Sequence, residues 1–262
     1  MRKIYKWDSE HLKKQSISIG YIDFDSHSFN FLENLHFDEL EIYKKIISQK
    51  RKREYILGRY CIKSILSQYY KEDLNEIAVL NGVFGQPIIF PNSHNLGVSL
   101  SHCENSAIAI VFPEAFPIGI DLENINLSFS KSISAELLKQ EINILENFAA
   151  KRIDKKSELV FDEFVASLIS QQEDFLSNKE LLTIAFWSIK ESLSKALKCG
   201  FTVPLSVLEI ESIQYLKGCI YYSFKNFSQY AGISFCMNRY IISICYPKKI
   251  DEMKGLWNCF IS

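Results

Sequence analysis

The chain has no charge excess of either sign, no C-x-x-C pair and no long apolar run, and each absence removes a class of function. Thirty basic residues stand against 31 acidic ones, a formal net charge of −1. General nucleic-acid and acidic-membrane binders carry an overall basic surplus. Neither nucleic acid nor a membrane is therefore expected as a partner, and any anion must be met by a local basic cluster. The seven cysteines, Cys61, Cys103, Cys199, Cys219, Cys236, Cys245 and Cys259, are scattered and odd in number. They read as reduced, mostly buried thiols rather than a disulfide frame or a zinc site, and a cytoplasmic protein is expected. The start, MRKIYKWDSEHLKK, is basic but has no apolar stretch behind it, so no secretory signal is expected. No stretch approaches the roughly 18 apolar residues of a membrane span.

What is present suffices for a packed core: 262 residues, 47% of them hydrophobic, enough for one large or two ordinary domains. Two halves of similar order emerge. ISIGYIDFD (17–25) alternates like a strand, and the periodicity from Asp38 to Tyr70 reads as one or two helices. After the turn signals of NGVFGQP (81–87), the runs LGVSLS, SAIAIVF and PIGIDLE read as an antiparallel meander. The second half repeats this with a helical region from Ser132 to Phe148, a second helix, and the strands VLEIESI, GCIYYSF, AGISFCM and YIISICY. The expected fold is α+β, a pseudo-dimer of residues 1–125 and 126–262, each half a helix on an antiparallel sheet. Residues 149–180 are polar and mixed in charge, and read as an insertion.

The helix FWSIKESLSKALKCG (186–200) buries Ala185, Ile189, Leu193, Ala196 and Leu197 on one side. Trp187, Lys190, Glu191, Ser194, Lys195 and Lys198 fall on the other, and Gly200 suits a C-cap. Glu191 and Lys195, four apart, would support the helix as an ion pair even if the face were merely solvated. In PIGIDLEN (117–124) the strand period puts Ile118, Ile120 and Leu122 on one face and Gly119, Asp121 and Glu123 on the other. Two carboxylates on one face repel unless a cation lies between them. With Glu191 as a third hard oxygen donor, the set suits Mg²⁺. In SLSHCENSAIAI (99–110), Ser101 and His102 end a strand where an anion could be met. In QKRKREYILGRY (49–60), Arg51 and Arg59 are eight apart on one side of a helix, and an arginine fork fits phosphate.

Taken in order, KRKREYILGR, GVFGQP, SLSHC, GIDLE and WSIKESLSK resemble the phosphopantetheinyl transferases of the surfactin-synthetase-activating type, and more closely the enterobactin-synthetase-component-D-like branch. The resemblance covers Gln49 to Pro204. It implies transfer of the phosphopantetheine arm of coenzyme A to a serine of an apo-carrier protein (fatty-acid, polyketide or nonribosomal-peptide), with release of adenosine 3′,5′-bisphosphate. It also implies a cleft between the halves as the active site. On that resemblance Asp121, Glu123 and Glu191 hold Mg²⁺, and Lys190 and Lys195 face the pyrophosphate. Glu191, Lys190 and Lys195 are then the expected catalytic residues. Ser101 and His102 lie near the adenosine phosphates, and Arg51 and Arg59 at the 3′-phosphate side. Gln86 departs, standing where the family usually has Lys or Arg. The stretch between Glu123 and Glu191 is longer than usual. A monomer is expected. The residues alone leave open two other readings, a metal-dependent nuclease and a non-catalytic carrier-binding protein of the same fold.

Overall fold

The computed structural model describes residues 2–8, 16–23, 31–153, 179–216 and 219–250. The first half contains β1 (Arg2–Asp8), β2 (Ser16–Asp23), α1 (Phe37–Lys45), α2 (Gln49–Tyr70), β3 (Ala78–Asn81), β4 (Pro87–Phe90), β5 (Leu96–Cys103) and β6 (Ser106–Pro113). The second contains β7 (Gly119–Asn124), α3 (Leu127–Ile133), α4 (Lys139–Ile153), α5 (Lys179–Ala196), β8 (Ile210–Leu216), β9 (Cys219–Phe224), β10 (Tyr230–Met237) and β11 (Tyr240–Pro247). The periodic region from Asp38 to Tyr70 is thus two helices. Ser48 divides them, its hydroxyl accepting the Arg51 N–H as the N-cap of α2.

Two antiparallel sheets carry the fold, in the orders β1-β2-β6-β5 and β7-β11-β10-β9-β8, beside a small β3-β4 hairpin. They stack face to face. Ile17, Ile19, Tyr21, Ile108 and Ile110 of the first sheet and Ile120, Ile233, Ile242 and Ile244 of the second form one shared core. Cys61, Ile62 and Ile65 of α2 cover the outer face of the first sheet, against Ala107, Ala109 and Val111. Ile184, Ile189 and Leu193 of α5 cover the outer face of the second, against Ile220, Ile241 and Cys245. The order is therefore helix, sheet, sheet, helix, with both faces of the inner strands β6 and β11 buried. That is why β6 reads as a nearly continuous apolar run, and each fully buried Ile or Leu contributes about 1.5–3 kcal/mol.

Several expectations are corrected. PIGIDLE does not complete a meander with β5 and β6: β7 pairs with β11, Asp121 opposite Ser243, as the edge of the second sheet. A division at residue 125 would part β7 from the sheet it completes, and the change of sheet falls between β6 and β7. The basic start, read as no element, forms β1 against β2. The polar insertion narrows, since residues 149–153 continue α4 and 179–180 begin α5; residues 154–178, like Cys259, lie outside the described residues. No helix among the described residues is long and apolar enough to cross a membrane.

Candidate active site at the junction of the halves

The edge strands β5 and β7 lie side by side without a backbone ladder. Serine hydroxyls join them: Ser99 Oγ accepts the Ile120 N–H at 3.1 Å, and Ser101 Oγ donates to Asp121 Oδ1 at 2.9 Å. Above this seam α5 crosses β7 so closely that a Cβ on Gly119 would stand 1.8 Å from the Ser192 carbonyl oxygen. Any side chain there lifts the helix away, so glycine sets the distance between the carboxylates of the strand and those of the helix.

The result is a cluster in which oxygens of Asp121, Glu123 and Glu191 lie within 4.8 Å of one another. Asp121 is 1% exposed and fully engaged. Oδ1 accepts from Ser101 and from Lys195 Nζ at 2.7 Å, and Oδ2 accepts from Ser188 at 2.8 Å. Lys195 also lies 3.6 Å from Glu191. One cation cannot neutralise three carboxylates. Glu123 is accordingly pushed up to about 8, first by desolvation and then by Asp121 and Glu191, against the pull of Lys195 and the Trp187 indole. Glu191 is raised by desolvation and Asp121, against Lys195 and Trp187. Desolvation lowers Lys195, but Asp121, Glu191 and Glu123 together hold it above the ordinary lysine value. Hard oxygen donors that cannot all ionise unaided fit a divalent cation of the Mg²⁺ kind.

The other expected residues divide. His102 follows Ser101 at the same cleft. Its ring is held below the usual imidazole value by desolvation, with Lys195 and Arg59 adding to the effect and Glu54 opposing it. Arg51 is exposed on the first turn of α2, away from the cluster. Arg59 is buried, its guanidinium 3.3 Å from the centre of the Tyr55 ring and donating to Asn81 Oδ1. Gln86 turns back on its own hairpin, where Oε1 accepts the Phe84 N–H at 2.9 Å.

Lys190 is a correction. It is 1% exposed and bonds Glu141 Oε2 at 2.7 Å, on the far side of α5 from the acidic cluster. Phe186, Leu193 and Leu197, at i−4, i+3 and i+7, surround it on the helix, so its lysine character and not its position suggested a polar face. The C-cap is shifted: Lys198, at φ 55°, closes α5 in the left-handed region, and Gly200 takes a second positive φ of 53° two residues later. Ser188 and Trp187 were missed as site residues. Ser188, Glu191 and Lys195 stand at i, i+3 and i+7, so the helical stripe already carried the signal for the serine.

Two family models match in sequence order: the 4′-phosphopantetheinyl transferase N-terminal domain over residues 42–112, and the 4′-phosphopantetheinyl transferase superfamily over residues 117–245. The chain belongs to the 4′-phosphopantetheinyl transferase superfamily. The border between the two matches falls in the same short segment as the break between β6 and β7. Within this superfamily the chain is 27% identical over 157 residues to 4′-phosphopantetheinyl transferase Sfp of Bacillus subtilis (strain 168). That match covers 59% of this chain and 56% of the relative. The second family model spans the whole acidic cluster together with Lys195.

Proposed function

We propose that the protein transfers the 4′-phosphopantetheine group of coenzyme A to a serine hydroxyl of an apo-carrier protein, releasing adenosine 3′,5′-bisphosphate. The observation that carries this reading is the cluster of three carboxylates with Lys195, set in a cleft between halves of superfamily type. Asp121, Glu123 and Glu191 would hold Mg²⁺, which when bound neutralises charge on the diphosphate oxygens.

The serine oxygen bonds to the β-phosphorus, and the bond from that phosphorus to the oxygen bridging the two phosphates breaks, so the bridging oxygen leaves on the adenosine side. Negative charge then collects on the departing bisphosphate. Lys195, held protonated by its carboxylate neighbours, faces that charge. The serine proton passes to Glu191 directly or through a water beside it. Ser101 and Ser188 orient Asp121 so that it need not reorganise. His102 and the arginines of α2 serve the adenosine phosphates, with Arg51 the more accessible. The carrier belongs to fatty-acid, polyketide or nonribosomal-peptide synthesis, and the proposed working unit is a monomer in the cytoplasm. No observation favours the nuclease reading.

The test is incubation with coenzyme A, Mg²⁺ and a panel of apo-carrier proteins, read by mass spectrometry. A phosphopantetheine mass gain that EDTA abolishes is expected. No gain on any carrier would overturn the reading.

A further inference from the structure

A cavity of about 210 Å³ opens beside the acidic cluster. Val98, Leu100, Phe112 and Phe84 give it an apolar wall, and Glu191, Lys195 and Lys198 line the other side. We propose that Lys198 binds the diphosphate of coenzyme A, adding a second positive charge beside that of Lys195 where Gln86 supplies none. This rests on the transfer reading above.

The backbone places the side chain. Leu197 N–H bonds the Leu193 carbonyl at 2.9 Å, Lys198 N–H the Lys195 carbonyl at 3.1 Å, and Cys199 N–H the Ser194 carbonyl at 3.1 Å. This closes α5 with Lys198 in the left-handed region, where glycine is the unstrained choice. A lysine held there costs stability, and the residue lines the cavity together with Glu191 and Lys195.

The charge bookkeeping singles it out. Lys195 is committed to Asp121 at 2.7 Å and to Glu191 at 3.6 Å. Gln86, on the facing hairpin, is neutral and its carboxamide oxygen is held by its own turn. Among the described residues Lys198 pairs with Glu114 alone, at 3.6 Å, with the glutamate side chain 57% exposed, a contact that solvent screens and a phosphate displaces readily. Among the described residues lining the cavity, Lys198 is the cation not already paired with the acidic cluster. The same turn ends α2, where Lys71 has φ 57° but lines no part of this cavity. The left-handed cap therefore belongs to the frame, and its use as a ligand contact is confined to the second half.

Lys71 is also the control. Lys198→Gly, Lys198→Gln and Lys71→Gly are compared by thermal melting and by steady-state transfer at varied coenzyme A and dephospho-coenzyme A. Both glycine variants are expected to melt about 2 °C or more higher, from relief of backbone strain. Both Lys198 variants raise KM for either substrate about fivefold with kcat within about twofold, and Lys71→Gly leaves KM unchanged. An unchanged KM in both Lys198 variants overturns the proposal. So does a rise confined to coenzyme A, which would assign Lys198 to the 3′-phosphate. If the wild-type protein transfers nothing, the functional reading fails by itself. Calorimetric binding of coenzyme A to the wild type and to Lys198→Gln then decides this proposal, equal affinity overturning it and weaker binding by the variant supporting it.

Discussion

The two halves share a device and differ in what lies one residue beyond it. Lys63 of α2 pairs with Glu39 at 2.5 Å, and Glu39 also accepts the Val79 N–H at 2.7 Å, tying α1, α2 and β3 together. Lys190 of α5 pairs with Glu141 at 2.7 Å, and Glu141 accepts the Ile210 N–H at 2.9 Å, tying α4, α5 and β8 in the same way. Each glutamate also receives a backbone N–H from three residues earlier, His36 or Leu138. All four side chains are at most 1% exposed. Next after the lysines stand Ser64 in the first half and Glu191 in the second. On the strands beneath, Gly20 and Gly119 both lie against their helix, and two residues on come Ile22 and Asp121. The frame is repeated and the charges are placed once. Chemistry here is a substitution on a scaffold that holds without it.

The sharpest way to break that comparison is to remove a charge from one half and its counterpart from the other. Glu191→Gln is expected to cut transfer on the order of a thousandfold with the fold retained, while Ser64→Ala stays within about twofold. Transfer assayed alongside circular dichroism checks this, and wild-type rates in Glu191→Gln would remove the glutamate from the site.

The frame itself should break equally on both sides. Lys63→Met and Lys190→Met each leave a buried carboxylate without its cation, and urea unfolding is expected to show about 3 kcal/mol lost in either case. A loss in one half only would mean that the two pairs are not equivalent.

Lys195 separates frame from chemistry within a single helix. With Mg²⁺ present to balance Asp121, Lys195→Gln is expected to melt near the wild-type temperature and to transfer at least about tenfold more slowly. Early melting with normal turnover would assign the lysine to the helix.

The smallest effect is a pH dependence that only the second half should show. Glu123 titrates near 8 in the folded, metal-free protein against a reference of 4.5. A raised carboxyl contributes stability that is complete below the reference value and is lost as pH climbs through the folded one. In EDTA the protein should therefore melt lower at pH 8.5 than at pH 5, and Mg²⁺ should raise the melting temperature more at the higher pH. Glu123→Gln is expected to flatten both trends.

Much of this was legible in the residues because periodicity reports which face is buried. The alternation in GIDLE put Gly119, Asp121 and Glu123 on one side, and the spacing of Glu191 and Lys195 put them on one stripe. Strand partners were not legible: β7 has the apolar pattern of a strand buried against another sheet, and nothing local says that it pairs with β11 rather than β6. Lys190 misled for a related reason. A lysine is read as solvated until its partner is known, and Glu141 lies 49 residues away. The turn of Gln86 onto its own backbone depends on side-chain torsions that sequence does not encode legibly.

The stacked sheets bear on how the chain could be divided. Ile17, Ile19, Ile108 and Ile110 on one side and Ile120, Ile242 and Ile244 on the other seal each other from water. Neither half owns that core, so a fragment ending in the short segment between β6 and β7 would carry a whole sheet face bare to solvent. Expressed alone, such a piece should aggregate. Expressed together, the two pieces should find each other through that face and close the cleft again, making this segment the natural place to cut the chain for a complementation assay.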